Sequence, residues 1–323
     1  MTSLPLRDLT PERALRRLEL VITRRLDGLL QGDHLGLVPG PGSEYAESRE
    51  YYPGDDVRRM DWNVTARTAT PHVRDPIADR ELETWVLVDA SPSMDFGTGE
   101  MEKRDLGVAA VGAVGFLTAG AGNRLGALIA RPDQLRRVPA RAGRSHLLRV
   151  LRMLITLERG APTSRQRFTL ADAADELRHC ALRRGLVVLV SDFLDDSDWE
   201  LPVRRLAVHH QVLAVEVVDP RELELPDVGV LTLVDPETGH RREISTASRS
   251  LRQRYAAAAA AQRQAVADAL RRAGAAHLRL RTDRDWIRDL VRHVITQRRL
   301  AHAAAHGPAR RPMARRRASG GGR

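Results

Sequence analysis

Oxygen-bearing side chains follow two apolar runs of the sequence in a pattern suited to a hard cation. Asp89 ends one run, with Ser91 and Ser93 at alternate positions after it, and Asp192 ends another. A carboxylate at the end of a buried strand is costly unless it is paired or bound to a cation, and Mg²⁺ takes oxygen ligands in octahedral geometry. The pattern therefore predicts a Mg²⁺ (or Mn²⁺) site at Asp89, Ser91 and Ser93, with Asp192 as an outer ligand, directly or through water.

The elements that must position these side chains alternate along the chain. Short apolar runs and helical patterns of ten or more residues follow one another, which is typical of parallel βαβ units. The predicted strands are 85–89, 125–130, 186–191, 212–218, 230–234 and 277–280, and the predicted helices are 103–119, 145–157, 170–183, 199–208, 251–273 and 286–300. The sequence thus predicts an α/β fold with a doubly wound, mainly parallel Rossmann-like sheet. Ligands of such sheets bind beyond the carboxyl ends of the strands, where Asp89 and Asp192 fall.

Four segments differ in composition. The N-terminal segment has the spacing of an amphipathic helix, and the next is rich in Gly, Pro, Tyr and paired charges, which indicates short β-strands and tight turns. The predicted boundaries are 1–33 for the N-terminal helix, 34–80 for the β-rich segment, 81–300 for the α/β domain and 301–323 for a disordered arginine-rich tail.

Charge and cysteine content limit the function classes. The formal net charge is +10, but the tail 301–323 carries six arginines and no acid, which leaves +4 (10 − 6) for the rest. Nucleic-acid binding through this tail stays as an alternative function, although a solubilising end is preferred. The single cysteine, Cys180, excludes an internal disulfide and a thiolate zinc cluster. No apolar run approaches membrane-spanning length and no secretory signal is evident, so a cytoplasmic protein without a membrane span is expected.

The motifs resemble known families. Asp89-x-Ser91-x-Ser93 is similar to the metal-ion-dependent adhesion site of von Willebrand factor type A domains, and Ser191-Asp192 falls where those domains have Thr-Asp-Gly. An upstream string resembles the bacterial family named domain of unknown function 58, in which it directly precedes a von Willebrand type A-like domain. The string includes Tyr51-Tyr52-Pro53-Gly54-Asp55-Asp56-Val57-Arg58, Asp61-Trp62 and Thr65-Ala66-Arg67. The resemblance covers about residues 30–300.

The resemblance implies a non-catalytic, cation-dependent protein-binding adaptor or co-chaperone that works with a MoxR-type AAA+ ATPase and an unidentified client protein. An acidic side chain of the partner would fill an open coordination position of the ion. Two departures from the pattern predict a weaker site. Ser145 stands near the position of a family threonine, and it is either the substitute hydroxyl ligand or the cap of the helix that it opens. Phe193 follows Asp192 where the family has glycine.

The polar and aromatic residues of the upstream string have two open interpretations. They form a partner-binding surface, or they form a structural clasp of ion pairs that locks the segment 34–80 to the sheet. Trp62 and Tyr51 are expected to pack rather than to bind. The residues concerned are Arg49, Tyr51, Asp55, Asp56, Arg58, Asp61, Trp62 and Arg67.

A magnesium-dependent phosphohydrolase that uses Asp89 is the enzymatic alternative. Phosphoaspartyl phosphatases need a second aspartate two residues after the nucleophile as acid and base, and here that position is Ser91. No downstream lysine is available, because Lys103 is the only one in the chain. Nucleotide-binding glycine motifs are also missing, so the sequence favours a protein without enzymatic activity.

Overall fold

The protein is described by a computed structural model in nine stretches of the chain. These are residues 9–29, 48–52, 57, 60–74, 82–99, 101–118, 122–159, 168–236 and 239–305. In chain order the strands are β1 (Ser48–Glu50), β2 (His72–Arg74), β3 (Glu83–Asp89), β4 (Arg124–Arg131), β5 (Gln134–Ala142), β6 (Leu186–Ser191), β7 (Gln211–Val218), β8 (Val230–Val234), β9 (Arg241–Ser245) and β10 (Ala276–Arg281). The helices are α1 (Pro11–Leu29), α2 (Trp62–Thr68), α3 (Lys103–Thr118), α4 (Arg144–Ile155), α5 (Leu170–Cys180), α6 (Glu200–His209), α7 (Arg249–Arg272) and α8 (Trp286–Ala305).

Six strands form the central sheet, in the order β10-β7-β6-β3-β4-β5. All neighbours pair in parallel except β5, which runs antiparallel to β4 at one edge. The inner strands are mostly apolar because helices cover both of their faces. The predicted doubly wound, mainly parallel α/β fold is therefore confirmed. Strand β5 was not predicted, since most of its side chains face solvent and no continuous apolar run marks it.

The strand predicted at 230–234 does not belong to this sheet. It exists as β8, but it pairs only with β9, as an antiparallel hairpin inserted between β7 and α7. Its residues alternate between exposed and half-buried positions. The prediction of a strand buried on both faces is wrong here, because a short apolar run fits a half-exposed hairpin equally well.

Each face of the sheet has its own hydrophobic core. Helices α1, α3, α4 and α8 cover one face and α5, α6 and α7 the other. The N-terminal helix is an integral part of the first core, since Leu18 and Ile22 are fully buried there. They lie so close to α3 that a Cβ atom at Gly112 would meet Leu18 at 2.9 Å. Two packed layers hold the sheet rigid and thereby fix the positions of its carboxyl-end loops.

The described part of the upstream segment is a small antiparallel pair, β1 and β2, with the short helix α2 between them. Asp61 begins this helix by accepting hydrogen bonds from the backbone N–H groups of Asn63 and Val64. Across the described helices of the protein, none is both long and apolar enough to span a bilayer.

Candidate cation-binding site

The two predicted acidic strand ends meet at the carboxyl edge of the sheet. Strands β3 and β6 are parallel neighbours, with Val88 opposite Val190, so the residues that follow each strand emerge side by side. After β3 the chain turns into a 3-10 helix, Pro92–Asp95, which begins just after Ser91 and contains Ser93. This turn keeps both serines within the loop next to Asp89.

Hydrogen bonds tie these side chains together. The Asp89 carboxylate accepts the backbone N–H of Ser91 at 2.9 Å on Oδ1 and the hydroxyl of Ser191 at 2.6 Å on Oδ2. The Oγ atoms of Ser91 and Ser93 are 3.0 Å apart. The Ser91 side chain also hydrogen-bonds Asp89, and the Ser93 side chain hydrogen-bonds Asp192. The structure thus brings together Asp89, Ser91, Ser93 and Asp192.

Asp89 is half-buried, and no basic side chain of the described residues lies in ion-pair contact with it. The pKa of Asp89 is raised from 3.8 to about 6, mainly by the loss of solvation and secondly by the nearby Asp192 carboxylate. Hydrogen bonds from Ser191 and Ser91 act in the opposite direction without cancelling these effects. Among the residues that the structure describes, no Lys, Arg or His forms an ion pair with Asp89. A raised carboxylate pKa at the end of a strand marks a candidate functional site.

Asp192, in contrast, has its own cation. The Lys103 ammonium donates to Asp192 Oδ2 at 2.7 Å and also to Glu222, and the lysine is completely buried. Burial disfavours the ammonium, but the charges of Asp192 and Glu222 outweigh it and raise the pKa of Lys103. Burial likewise opposes ionisation of Asp192, yet Lys103 lowers the Asp192 pKa overall.

The sequence argument that no lysine is available near the site is therefore wrong. Lys103 is distant from Asp89 in the sequence but lies at the first turn of α3, which starts at this edge of the sheet. Its one sequence signal was its rarity, as the sole lysine among 52 basic residues. Lys103 is committed to two carboxylates, so the phosphohydrolase alternative gains no proton donor from it.

The lysine begins a chain of buried ion pairs that extends away from the site. Glu222 also binds Arg263 at 3.0 Å, and Arg263 binds Glu216 at 3.2 Å. Glu216, fully buried on β7, completes its contacts with His277 at 2.8 Å and Arg279 at 2.6 Å. Every charge in this chain has a partner, which is the condition under which buried charges are tolerated. Asp89, which lies beside Asp192 at one end of this chain of ion pairs, has no such partner among the described residues.

Phe193 adopts a backbone conformation that favours glycine. Its φ is +54°, in the left-handed region that costs a non-glycine residue free energy. Its N–H donates to the Ser191 hydroxyl at 3.0 Å, and its ring packs on Trp199 with centroids 5.1 Å apart. The glycine of the resembled Thr-Asp-Gly pattern would take this conformation without strain. Here the buried ring stabilises it instead.

Ser145 does not join the site, which corrects the sequence-based prediction. Strand β5 runs antiparallel to β4, so its last residue, Ala142, lies opposite Arg124 at the amino end of the sheet. Asp89 is at the other end of β3, about 20 Å away at the usual rise per strand residue. The alternative prediction of a helix cap is also wrong, because Gly143 occupies the cap position of α4 with no side-chain cap bond.

The residues of the upstream string are only partly described. Asp55, Asp56 and Arg58, and the side chain of Arg49, lie outside the described residues, while the backbone of Arg49 pairs with Val73. Tyr51 is half-buried and its N–H donates to Pro71. Asp61 is buried as the helix cap, and Arg67 is exposed. The expectation that Trp62 packs is wrong, because its side chain is 69% exposed.

The donor set fits a hard cation in part. Two adjacent ligands of an octahedral Mg²⁺ at about 2.1 Å lie about 3 Å apart, which is the separation of the Ser91 and Ser93 Oγ atoms. Within the described ranges, no three Asp, Glu, His or Cys side chains converge in a metal-binding arrangement. Any cation here would depend on the two serine hydroxyls, with Asp89 supplying the compensating charge.

Comparison with known proteins places this geometry in a family. Residues 47–265 match the family described as "Protein of unknown function DUF58". An uncharacterized protein of Mycobacterium tuberculosis, Rv1480, is 57% identical over 290 residues, 90% of each chain. Among solved structures, BatB from Bacteroides thetaiotaomicron covers 68% of this chain and 99% of its own, at 12% identity and a TM-score of 0.42. The VWA domain of SpRpn10 covers 66% and 94%, at 12% identity and a TM-score of 0.35. The chain is a member of the DUF58 family.

Proposed function

We propose that this protein is a non-catalytic adaptor that binds a partner protein through a divalent cation held at Asp89, Ser91 and Ser93. The observation that carries the proposal is the Asp89 carboxylate. It is half-buried, its pKa is raised to about 6, and no basic side chain in the described structure pairs with it. A partly desolvated carboxylate without a compensating charge is costly to maintain without a ligand.

The hydroxyl protons support the same conclusion. Ser91 hydrogen-bonds the Asp89 carboxylate and Ser93 that of Asp192, and a carboxylate only accepts. When both protons point at carboxylates, lone pairs of the two Oγ atoms, 3.0 Å apart, are left for a cation. Lys103 neutralises Asp192, so Asp192 orients Ser93 while Asp89 provides the charge. A bound Mg²⁺ or Mn²⁺ would supply an open coordination position for a carboxylate of the partner.

Calorimetric titration of the full chain with MgCl₂ and MnCl₂ tests the cation part. We expect saturable binding to the wild type and at least about a tenfold loss of affinity in the double variant Ser91→Ala/Ser93→Ala, because both neutral ligands are removed. The exposed Ser250→Ala on α7 is the matched control and should bind as the wild type does. Equal heats for the wild type and the double variant would refute a cation at these hydroxyls.

The partner part of the proposal is a MoxR-type AAA+ ATPase, as the family resemblance implies. A protein-binding role agrees with the exposed Trp62, because aromatic side chains are enriched at interfaces. The exposed indole favours the partner-binding interpretation for Trp62 itself.

Binding to the MoxR-type ATPase from the same genome, immobilised for surface plasmon resonance, tests this part. The ATPase uses magnesium itself, so wild type and Ser91→Ala/Ser93→Ala are compared in one magnesium buffer. We expect the double variant to bind at least about tenfold more weakly, since it lacks the cation that would bridge to an acidic partner residue. Ser250→Ala again serves as the control. Identical binding of all three proteins would exclude this site as the contact with the ATPase.

A further inference from the structure

A groove of about 580 Å³ lies at the amino edge of the sheet, opposite the candidate cation site. Its walls come from the end of α5 with the loop into β6, and from the end of α6 with the turn into β7. The lining residues include Arg178, Leu182, Arg184, Arg205, Val208 and His209. Because β6 and β7 start here and run toward Asp192, the length of the sheet separates the two sites.

The groove combines exposed aliphatic side chains with positive charge. Leu182 is 83% exposed and Val208 is 66% exposed, which is unusual for large apolar residues facing a common depression. Asp175 contacts Arg178 at 3.8 Å and Arg205 at 3.5 Å. Arg184 forms no ion pair with any described residue, so the groove retains a net positive charge.

The loop that carries Leu182 is held at both ends. The N–H of Ala181 donates to Leu177 at 2.8 Å, and the Gly185 carbonyl accepts the N–H of Gln211 at 3.0 Å. Gly185 packs so closely on β3 that a Cβ atom there would lie 2.0 Å from the Glu83 carbonyl oxygen. His210 hydrogen-bonds the backbone of Ala181, and burial lowers the pKa of this histidine. Leu182 is therefore exposed on a loop whose two ends are fixed to the sheet and to α5.

We infer that this groove binds an acidic segment of a partner protein that inserts one or two aliphatic side chains between Leu182 and Val208. Carboxylates of that segment would pair with Arg184 and with the half-neutralised Arg178 and Arg205. The arginine-rich tail 301–323 of the protein itself is excluded as occupant by its charge. Single-stranded nucleic acid is disfavoured because none of the described lining residues is Phe, Tyr or Trp, on which bases stack.

Fluorescence anisotropy with defined probes tests the inference on the full chain. The probes are a labelled glutamate-rich peptide with two leucines, the same peptide with serines in place of the leucines, and a single-stranded RNA of equal net charge. The groove variants are Leu182→Ser and Arg184→Glu. Their matched controls are Val230→Ser, which is 71% exposed on the β8–β9 hairpin, and Arg254→Glu on α7, which is also exposed.

We expect the leucine peptide to bind at least about tenfold more tightly than the serine peptide, because burial of leucine side chains in the groove is favourable. Each groove variant should weaken this binding about tenfold or more, and each control should change it less than twofold. RNA binding as tight as peptide binding, or groove variants that match their controls, would overturn the inference. Self-association of the wild type in sedimentation that Arg184→Glu abolishes would also overturn it, because the occupant would then be a second copy.

Discussion

Replacing Lys103 with methionine is expected to lower the free energy of unfolding by about 3–5 kcal/mol, the usual cost of leaving buried charges without their partner. Methionine fills a similar volume, so the loss is electrostatic. It arises because Asp192 and the largely buried Glu222 lose their shared cation. Urea denaturation near neutral pH measures the change.

Two further variants test whether the loss of stability comes from the buried ion pair. Arg271→Met removes an exposed ion pair with Asp268 and should cost no more than about 1 kcal/mol. Adding Asp192→Asn to Lys103→Met removes the stranded charge and should restore part of the lost stability, since Glu222 keeps its ion pair with Arg263. If Lys103→Met is as stable as Arg271→Met, the buried ion pair does not have the role described above.

Replacing Asp89 with asparagine is expected to do the opposite and stabilise the protein by about 1–3 kcal/mol near pH 7 while abolishing cation binding. Asparagine keeps the size of the side chain but removes a partly desolvated charge that is costly, as the pKa of about 6 indicates. A substitution that strengthens the fold and removes binding is the usual behaviour of a functional site.

The pH dependence of this gain identifies its cause. Because the pKa of Asp89 is raised from 3.8 to about 6 on folding, the folded protein binds more protons than the unfolded chain between these values. The contribution of Asp89 to stability therefore falls as pH rises through this window and is least favourable above about pH 6. Unfolding of wild type and Asp89→Asn, measured at several pH values, should give curves that differ most near pH 7 and converge near pH 4. A constant difference would contradict this interpretation.

The sequence predicted those parts of the molecule whose neighbours are determined by strand direction. Asp89 and Asp192 end two buried parallel strands, and parallel strands share one carboxyl edge, so their meeting followed from the pattern. Ser145 was misplaced because it follows β5, an antiparallel strand that the apolar pattern did not reveal. Because β5 returns the chain to the amino end of the sheet, Ser145 lies there and not at the carboxyl end where it was predicted.

Two other features depended on tertiary contacts that a local pattern does not contain. Lys103 starts a helix, and the convergence of α3 with the loops after β6 and β7 buries it between Asp192 and Glu222. The run at 230–234 has the composition of an inner strand, but it forms a hairpin in which its residues alternate between exposed and half-buried positions. In both cases the sequence gives the residue types, but the burial and contacts of those residues depend on the tertiary structure.

The rarity of lysine gives the protein a built-in reporter. Acylating reagents that react with primary amines can modify only one side chain in this sequence, and that side chain is sealed between Asp192 and Glu222. Its rate of acylation, followed by mass spectrometry, would therefore report how often this corner of the protein opens to solvent. A bound cation or partner that reduces the opening around Lys103 should slow this acylation.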